Sequence, residues 1–329
     1  MNCELNKGGD DMYQGYITDV LGIKVGHAES IEGMTGCTVV ICEKGATGGV
    51  DVRGSAPGTR ETDLFKPEKM VDKVHAIVLS GGSAFGLEAA SGVMRYLEEH
   101  NIGFDVGVTK VPIVASAVIF DLNIGDFRIR PDFNMGYIAA KNANDYENMQ
   151  GNVGCGMGAT IGKILGPQSG MKSGLGSATV KVGELIVSAI VAVNSFGDIY
   201  DFRSNKQIAG VYDYENNKLL NTINIMKEMN KDLGFNVQNT TIGIIATNAN
   251  LTKAEANKIS EMAHNGFARS INPIHTMVDG DTIFTMATNE IKADISLIGT
   301  LAAEAMSKAI TNGVLFAEGT NGLRAYKDI

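Results

Sequence analysis

The chain has 329 residues, 44% hydrophobic and 20% charged, the balance of an ordinary soluble globular protein with one large domain or two. Its formal net charge of −9 argues against a nucleic-acid surface. No apolar run is long enough for a bilayer, no signal peptide is expected, and Cys3, Cys37, Cys42 and Cys155 form no CxxC pair, so neither a zinc ribbon nor a disulfide framework is indicated and a reducing cytoplasm is expected.

Forty glycines and no tryptophan point to tight turns and closely packed backbones. Residues 17–25 and 37–42 read as strands. The loop between them carries His27, which has no His or carboxylate partner at ligand spacing and reads as structural. The Gly-rich residues 45–60, with Asp51, Arg53, Ser55 and Arg60, read as a long loop near a substrate pocket. A strand at 75–79 leads through Ser80-Gly81-Gly82-Ser83-Ala84-Phe85-Gly86-Leu87 into a helix with Phe85, Ala89, Val93 and Leu97 on one face. That turn does not give GxGxxG and is not followed by Gly-Lys-Ser/Thr, so it is neither a dinucleotide fingerprint nor a P-loop. Close strand-to-helix packing, with backbone N–H groups toward a pocket, is the expectation.

Residues 111–122 are an apolar run broken by Pro112, and 134–144 a short helix. Residues 151–176 are again dense in glycine. Cys155 lies there without a basic or His neighbour in sequence and does not read as a nucleophile. Lys172 is the only charge between Lys163 and Lys181; a solvated turn lysine fits the pattern as well as a functional one. Residues 177–182 and 185–193 read as a hairpin turning at Gly183-Glu184. Asn194 ends its second strand, where the amide can donate to an oxyanion or serve as an ordinary turn residue.

Asn239-Thr240-Thr241-Ile242-Gly243-Ile244-Ile245-Ala246-Thr247 reads as a buried strand entered from a polar loop over 231–239. A hydroxyl at such a junction is accessible and yet held by a rigid element. A cut before Thr240 would give it a free α-amine, which is its own general base. A plain strand start has the same appearance. Thr252-Lys253-Ala254-Glu255 is a capping box opening a helix to about Arg269. Asp279 and Asp281 precede a strand, and residues two apart on an extended chain point the same way. Such a pair can hold an ammonium, orient a hydroxyl or bind a cation, or form a solvated Asp-Gly turn. A last helix covers about 293–310.

Several strands are near-continuous apolar runs, which implies cover on both faces. The reading is a single α/β domain of two stacked sheets with helices outside, a four-layer αββα sandwich.

Asn239 to Asn248, the Lys172-Ser173-Gly174-Leu175-Gly176 turn, Ser80 to Leu87 and Asp279-Gly280-Asp281-Thr282 together resemble the DmpA/BapA/NylC family. These are self-cleaving N-terminal-nucleophile aminopeptidases and amide hydrolases, and the resemblance covers about residues 17–316. It implies the DOM fold, an Ntn-hydrolase-like αββα body. It implies autocleavage between Asn239 and Thr240 into 1–239 and 240–329 chains that stay together. It gives Thr240 as nucleophile, Lys172 and Asn194 as supporting residues, and Asp279 and Asp281 as paired acids. The aminopeptidase members use serine, and the nylon-oligomer hydrolase uses threonine as here. Phe120 stands where some members bring an aromatic hydroxyl, and with Ser83 is placed at the substrate pocket. No cofactor or metal is implied. The expected substrate is a small peptide or amide with a free amino end, and the expected assembly a homo-oligomer of αβ units, a tetramer or larger, with neither nucleic acid nor membrane as partner. An acyltransferase on the same fold and an uncleaved phosphate- or nucleotide-binding protein are the rival readings.

Overall fold

The computed structural model describes residues 12–229 and 239–329. Eight strands and five helices carry the architecture. They are β1 (Lys24–Ser30), β2 (Thr35–Val52), β3 (Lys73–Ser80), α1 (Ala89–Glu99), β4 (Val114–Val118), α2 (Phe133–Asn142), β5 (Leu175–Val182), β6 (Leu185–Ala192), α3 (Thr222–Met229), β7 (Ile242–Ala249), α4 (Lys253–Ser270), β8 (Thr282–Ile291) and α5 (Ile295–Leu315). The strands are hydrogen-bonded in the order β5-β6-β7-β8-β2-β3-β4, with Thr59–Arg60 beyond β4 and β1 paired to β2. The β7–β8 and β3–β4 pairs are parallel; the other pairings in this sheet are antiparallel.

Strand periodicity explains the layers. Successive residues of a strand face opposite sides. In β2 and β3, Val40, Ile77 and Leu79 join one core, while Val39, Ile41, Ala76 and Val78 pack on α1 and α2 in another. In the second half, Ile190, Ile244, Phe284 and Met286 join that same central core, while Ala189, Val191, Ile245 and Ile283 pack with α4 and α5. The central core therefore lies between two sheet halves, each with a helix pair outside it, which is the αββα arrangement. The expected pair of separate sheets is one hydrogen-bonded sheet, because the 18-residue β2 serves both halves. Its Lys24-to-Ser30 partner lies at one end, and β8 pairs at the other, from Thr47 to Val52.

Four expectations change. His27 stands in β1, paired with Thr38 of β2, rather than in a loop. Residues 45–52 are strand rather than loop. Their glycines serve close approach: a Cβ on Gly48 would lie 2.5 Å from the Phe65 ring, and one on Gly49 2.2 Å from the Ala256 backbone in α4. Residues 17–25 are not one strand, since a 3₁₀ turn at Ile17–Asp19 and the positive φ of Gly22 delay the strand until Lys24. Phe85 is 58% exposed. It belongs to a 3₁₀ turn before α1, so helical spacing does not apply, and the Arg130 guanidinium lies 3.9 Å over its ring. The hairpin at Gly183-Glu184 and the Thr252 capping box form where expected. The polar approach to Asn239, residues 231–238, lies outside the described residues.

Candidate active site

Strand register brings the chemistry to one end of the sheet. Ala192 of β6 and Thr282 of β8 both pair with Ile242, the first residue of β7. Residues just past β6, just before β7 and just before β8 therefore meet. These are Asn194, the Asn239–Thr241 segment and the Asp279–Asp281 segment. Asn239 forms a parallel bridge with Asp279: its N–H donates to Val278 O at 3.0 Å, and the Gly280 N–H donates to Asn239 O at 3.1 Å. The Thr240 N–H donates to Asn194 O at 2.9 Å. Thr240 is 6% exposed, and its Oγ1 donates to Asn239 O at 2.5 Å.

The two acids are fully buried and have different partners. Asp281 Oδ1 accepts the Thr241 N–H at 2.8 Å, and Oδ2 accepts the His275 N–H at 3.1 Å. His275 Nδ1 is 2.9 Å from the same oxygen, so Nδ1 is the protonated nitrogen of that ring. Asp279 Oδ2 accepts from the Thr276 N–H at 2.8 Å and from Thr276 Oγ1 at 2.5 Å. Its Oδ1 is buried without a partner. Burial, then the charge of Asp281, pushes the Asp279 carboxyl up to about 6.

Asn194 is fully buried. Its Oδ1 accepts from Lys163 Nζ at 2.9 Å and from the Thr160 N–H at 3.1 Å, which fixes the amide orientation. Its Nδ2 donates to Phe120 O at 3.1 Å, so in this state the amide is engaged away from the Asn239 carbonyl. Burial lowers the Lys163 ammonium to about 7, against the opposing charges of Asp279 and Asp121.

Sequence reasoning placed Lys172 beside this group; the structure places Lys163 there. Lys172 is fully buried, but its Nζ donates to Gly156 O at 2.9 Å and to Ser173 O, two backbone carbonyls. Among the described residues no hydrogen bond joins it to Thr240 or Asn194. Burial lowers it to about 7 as well. Lys163, His275 and Thr276 went unselected. For Thr276 and His275 a signal existed, since both stand within a few residues of the acid pair.

Ser83 and Phe120 both line a cavity of about 170 Å³ that Thr240 and Asn239 also line. The Ser80 to Leu87 turn does not present a phosphate cradle. Its Gly82 N–H donates to Asp121 Oδ1 at 2.7 Å, and a carboxylate there disfavours an anion. Cys155 is buried, and burial holds its thiol well above the usual range, as for an inert cysteine. His27 is buried beside Thr38, Nδ1 to Oγ1 at 3.0 Å. Among the described residues no group of three His, Cys, Asp or Glu side chains is arranged for a metal, and no helix is long and apolar enough to cross a membrane.

Gly280 abuts the nucleophile candidate. A Cβ there would lie 2.9 Å from Thr240 Oγ1 and 2.6 Å from Ala56 O. Gly280→Ala is expected to displace the hydroxyl and to slow any reaction that uses it by roughly 10²-fold. The rate of appearance of a fragment starting at Thr240 measures this; an unchanged rate means that the hydroxyl has room to spare.

An uncharacterised aminopeptidase of Mycobacterium leprae is 37% identical, the match covering 94% of this chain and 92% of that protein. The 6-aminohexanoate-oligomer endohydrolase of Kocuria sp. is 32% identical, covering 89% and 84%. Among solved structures, the L-aminopeptidase D-Ala-esterase/amidase of Ochrobactrum anthropi, titled a variant among the Ntn-hydrolase fold, superposes with a TM-score of 0.72 over 98% of this chain and 92% of that one, at 17% identity. A β-aminopeptidase of Burkholderia sp. gives 0.65 over 97% and 92%, at 20% identity. The fold is thus that of the Ntn-hydrolase aminopeptidases. Residues 15–327 match peptidase family S58, and the chain belongs to that family, an enzyme hydrolysing amide or peptide bonds.

Proposed function

We propose that this enzyme is a self-processing amide hydrolase whose nucleophile is Thr240. One observation carries the reading: Thr240 Oγ1 lies 2.5 Å from the oxygen of its own preceding carbonyl, which also accepts the Gly280 N–H at 3.1 Å. The hydroxyl thus sits against the Asn239–Thr240 peptide, and a backbone donor already faces the oxygen where negative charge would develop.

The steps follow. Thr240 Oγ1 attacks the Asn239 carbonyl carbon, the C–N bond breaks, and the freed α-amine takes a proton. Water then hydrolyses the ester, leaving the Asn239 carboxylate and a threonine with hydroxyl and amine side by side. An α-amine of reference pKa ~7.7–8.0 is a competent base near neutrality. It takes the Oγ1 proton as Oγ1 attacks a substrate amide, then returns it to the leaving amine, and water releases the acyl group. Asn194 O, which accepts the Thr240 N–H at 2.9 Å, remains an acceptor for the new amine, and the unpartnered Asp279 Oδ1 is a carboxylate oxygen free to balance its ammonium. Asp281, holding the Thr241 N–H, fixes the backbone behind the nucleophile. Lys163 supplies positive potential and fixes Asn194. The 6-aminohexanoate-oligomer hydrolases among the relatives support an amide substrate.

The Asp279 carboxyl, raised to about 6, gives the pH dependence. Lowering the pH through that value protonates it and removes the partner of the α-ammonium. Turnover should therefore fall as one proton is taken up near the amine's pKa, and more steeply below about 6. A kcat/KM profile between pH 5 and 9 reads this out; an acid limb that keeps unit slope through pH 6 removes Asp279 from the reaction, and a flat one removes the amine as base. Incubation with an amide substrate, with and without added amines, tests the activity itself. Transfer of the acyl group exceeding hydrolysis would make the enzyme an acyltransferase.

A further inference from the structure

Asp281 has a partner that the steps above leave unused. His275 offers one carboxylate oxygen two donors: Nδ1 lies 2.9 Å from Oδ2, and the His275 N–H donates to the same oxygen at 3.1 Å. The other oxygen, Oδ1, accepts the Thr241 N–H at 2.8 Å. The buried carboxylate is thus gripped from both ends. A short run of contacts leads from the His275 ring through Asp281 to the backbone beside Thr240.

The ring is itself held. It stands edge-on to His264 with centroids 4.8 Å apart, and lies tilted against Phe267 at 6.1 Å, both on α4. His264 Nε2 lies 3.1 Å from Asp51 O, and burial lowers this histidine to about 3, so it is a neutral wall near pH 7. His275 also takes a left-handed backbone conformation, with φ of 59°. That region is uncommon for a residue with a Cβ, and such strain clusters at functional sites.

The cut changes what holds Thr240. In the whole chain the residue is fixed from both sides. Asn239 is bound to Val278 O and the Gly280 N–H on one side, and the Thr241 N–H is bound to Asp281 on the other. Once the Asn239–Thr240 bond breaks, the first of these no longer restrains Thr240. The Asn194 O contact and the Asp281 contact remain.

We propose that His275 is a positioning residue: it fixes Asp281, so that Thr241 and with it Thr240 Oγ1 keep their place after the chain is cut. The inference rests on the Thr240 reading. His275 is not a wall of the cavity beside Thr240, so its loss should lower kcat and leave KM nearly unchanged. Turnover should suffer more than self-cleavage, because the precursor has the Asn239 contacts as well.

Three variants separate the hydrogen bond from the ring's bulk and from the backbone. His275→Asn carries a donor on Cγ, where Nδ1 stands, and tolerates a positive φ. His275→Gly keeps the backbone conformation and the N–H with no side chain. His275→Leu keeps apolar bulk beside Phe267 and has no donor. The processed enzymes are assayed on L-aminoacyl p-nitroanilides and a 6-aminohexanoate oligomer, and the rate of appearance of the Thr240 fragment is followed in parallel. Gly and Leu are expected to lower kcat by about tenfold to a hundredfold, the scale of a misplaced reacting group, with KM within about threefold. Asn is expected to restore kcat to within about threefold of the parent. If Gly and Leu do not process at all, the comparison is made on processing: an Asn variant that processes supports the proposal, and one that stays whole overturns it. Asn no better than Gly and Leu, either of these within threefold of the parent, or a change confined to KM also overturns it. Each of these results leaves the Thr240 reading standing when the parent processes. A parent that stays whole or cleaves no amide overturns both.

Discussion

Thr240→Ala is expected to leave the chain whole and without amidase activity. The substitution removes Oγ1, the atom lying 2.5 Å from Asn239 O, and no other described hydroxyl contacts that carbonyl. Both the cut and the turnover need this oxygen, so the loss should be at least about 10⁴-fold, the scale of removing a nucleophile. Intact-mass measurement should show one species in Thr240→Ala, against fragments of roughly 25 and 10 kDa in the parent. Thr240→Ser should still process, because it keeps the hydroxyl and loses only a methyl. Thr241→Ala should process normally. Thr241 Oγ1 is buried without a partner, and the Asp281 contact is made by its backbone N–H, which alanine retains. N-terminal sequencing of the small fragment should give Thr-Thr-Ile-Gly. A fragment beginning Thr-Ile-Gly moves the nucleophile to Thr241, and a parent chain that stays whole ends the self-processing reading.

The second large effect separates two buried lysines. Lys163→Met should slow processing and turnover by roughly 10²–10³-fold, the range for losing one positioned electrostatic partner. Methionine keeps the length and fills the space, while Asn194 Oδ1 retains the Thr160 N–H at 3.1 Å, so the fold should survive. Lys172→Met leaves Gly156 O and Ser173 O without its ammonium. Unpaired buried acceptors cost about 1–3 kcal/mol each, offset in part because an ammonium is no longer buried. Its effect should therefore appear in the thermal midpoint, with kcat changed by less than about threefold. If Lys172→Met abolishes turnover and Lys163→Met does not, the family's supporting lysine is Lys172 after all, acting through contacts other than these.

Much of the fold was legible because its signals are local. The apolar runs at 75–79 and 242–247, the Thr252 capping box and the Gly183-Glu184 hairpin depend on neighbours within a turn or two. The errors share a cause. Residues 45–52 look like a loop because of their glycines, yet those glycines let Phe65 and α4 approach a strand. Phe85 matches a helical spacing that starts only at Ala89.

The sequence by itself determined the family, and it put Asn239–Thr240 and the Asp279–Asp281 pair forward as candidates. Motif identity and a spacing of two along an extended chain need no tertiary information. The tertiary structure alone decided which lysine meets Asn194 and which oxygen of the acid pair stays free. Each of these depends on where distant glycine-rich backbone comes to rest. Lys163 and Lys172 sit in the same kind of segment, and only the pairing of Thr160–Ile161 with Met171–Lys172 and the fold around it turns one toward Asn194 and the other toward backbone carbonyls.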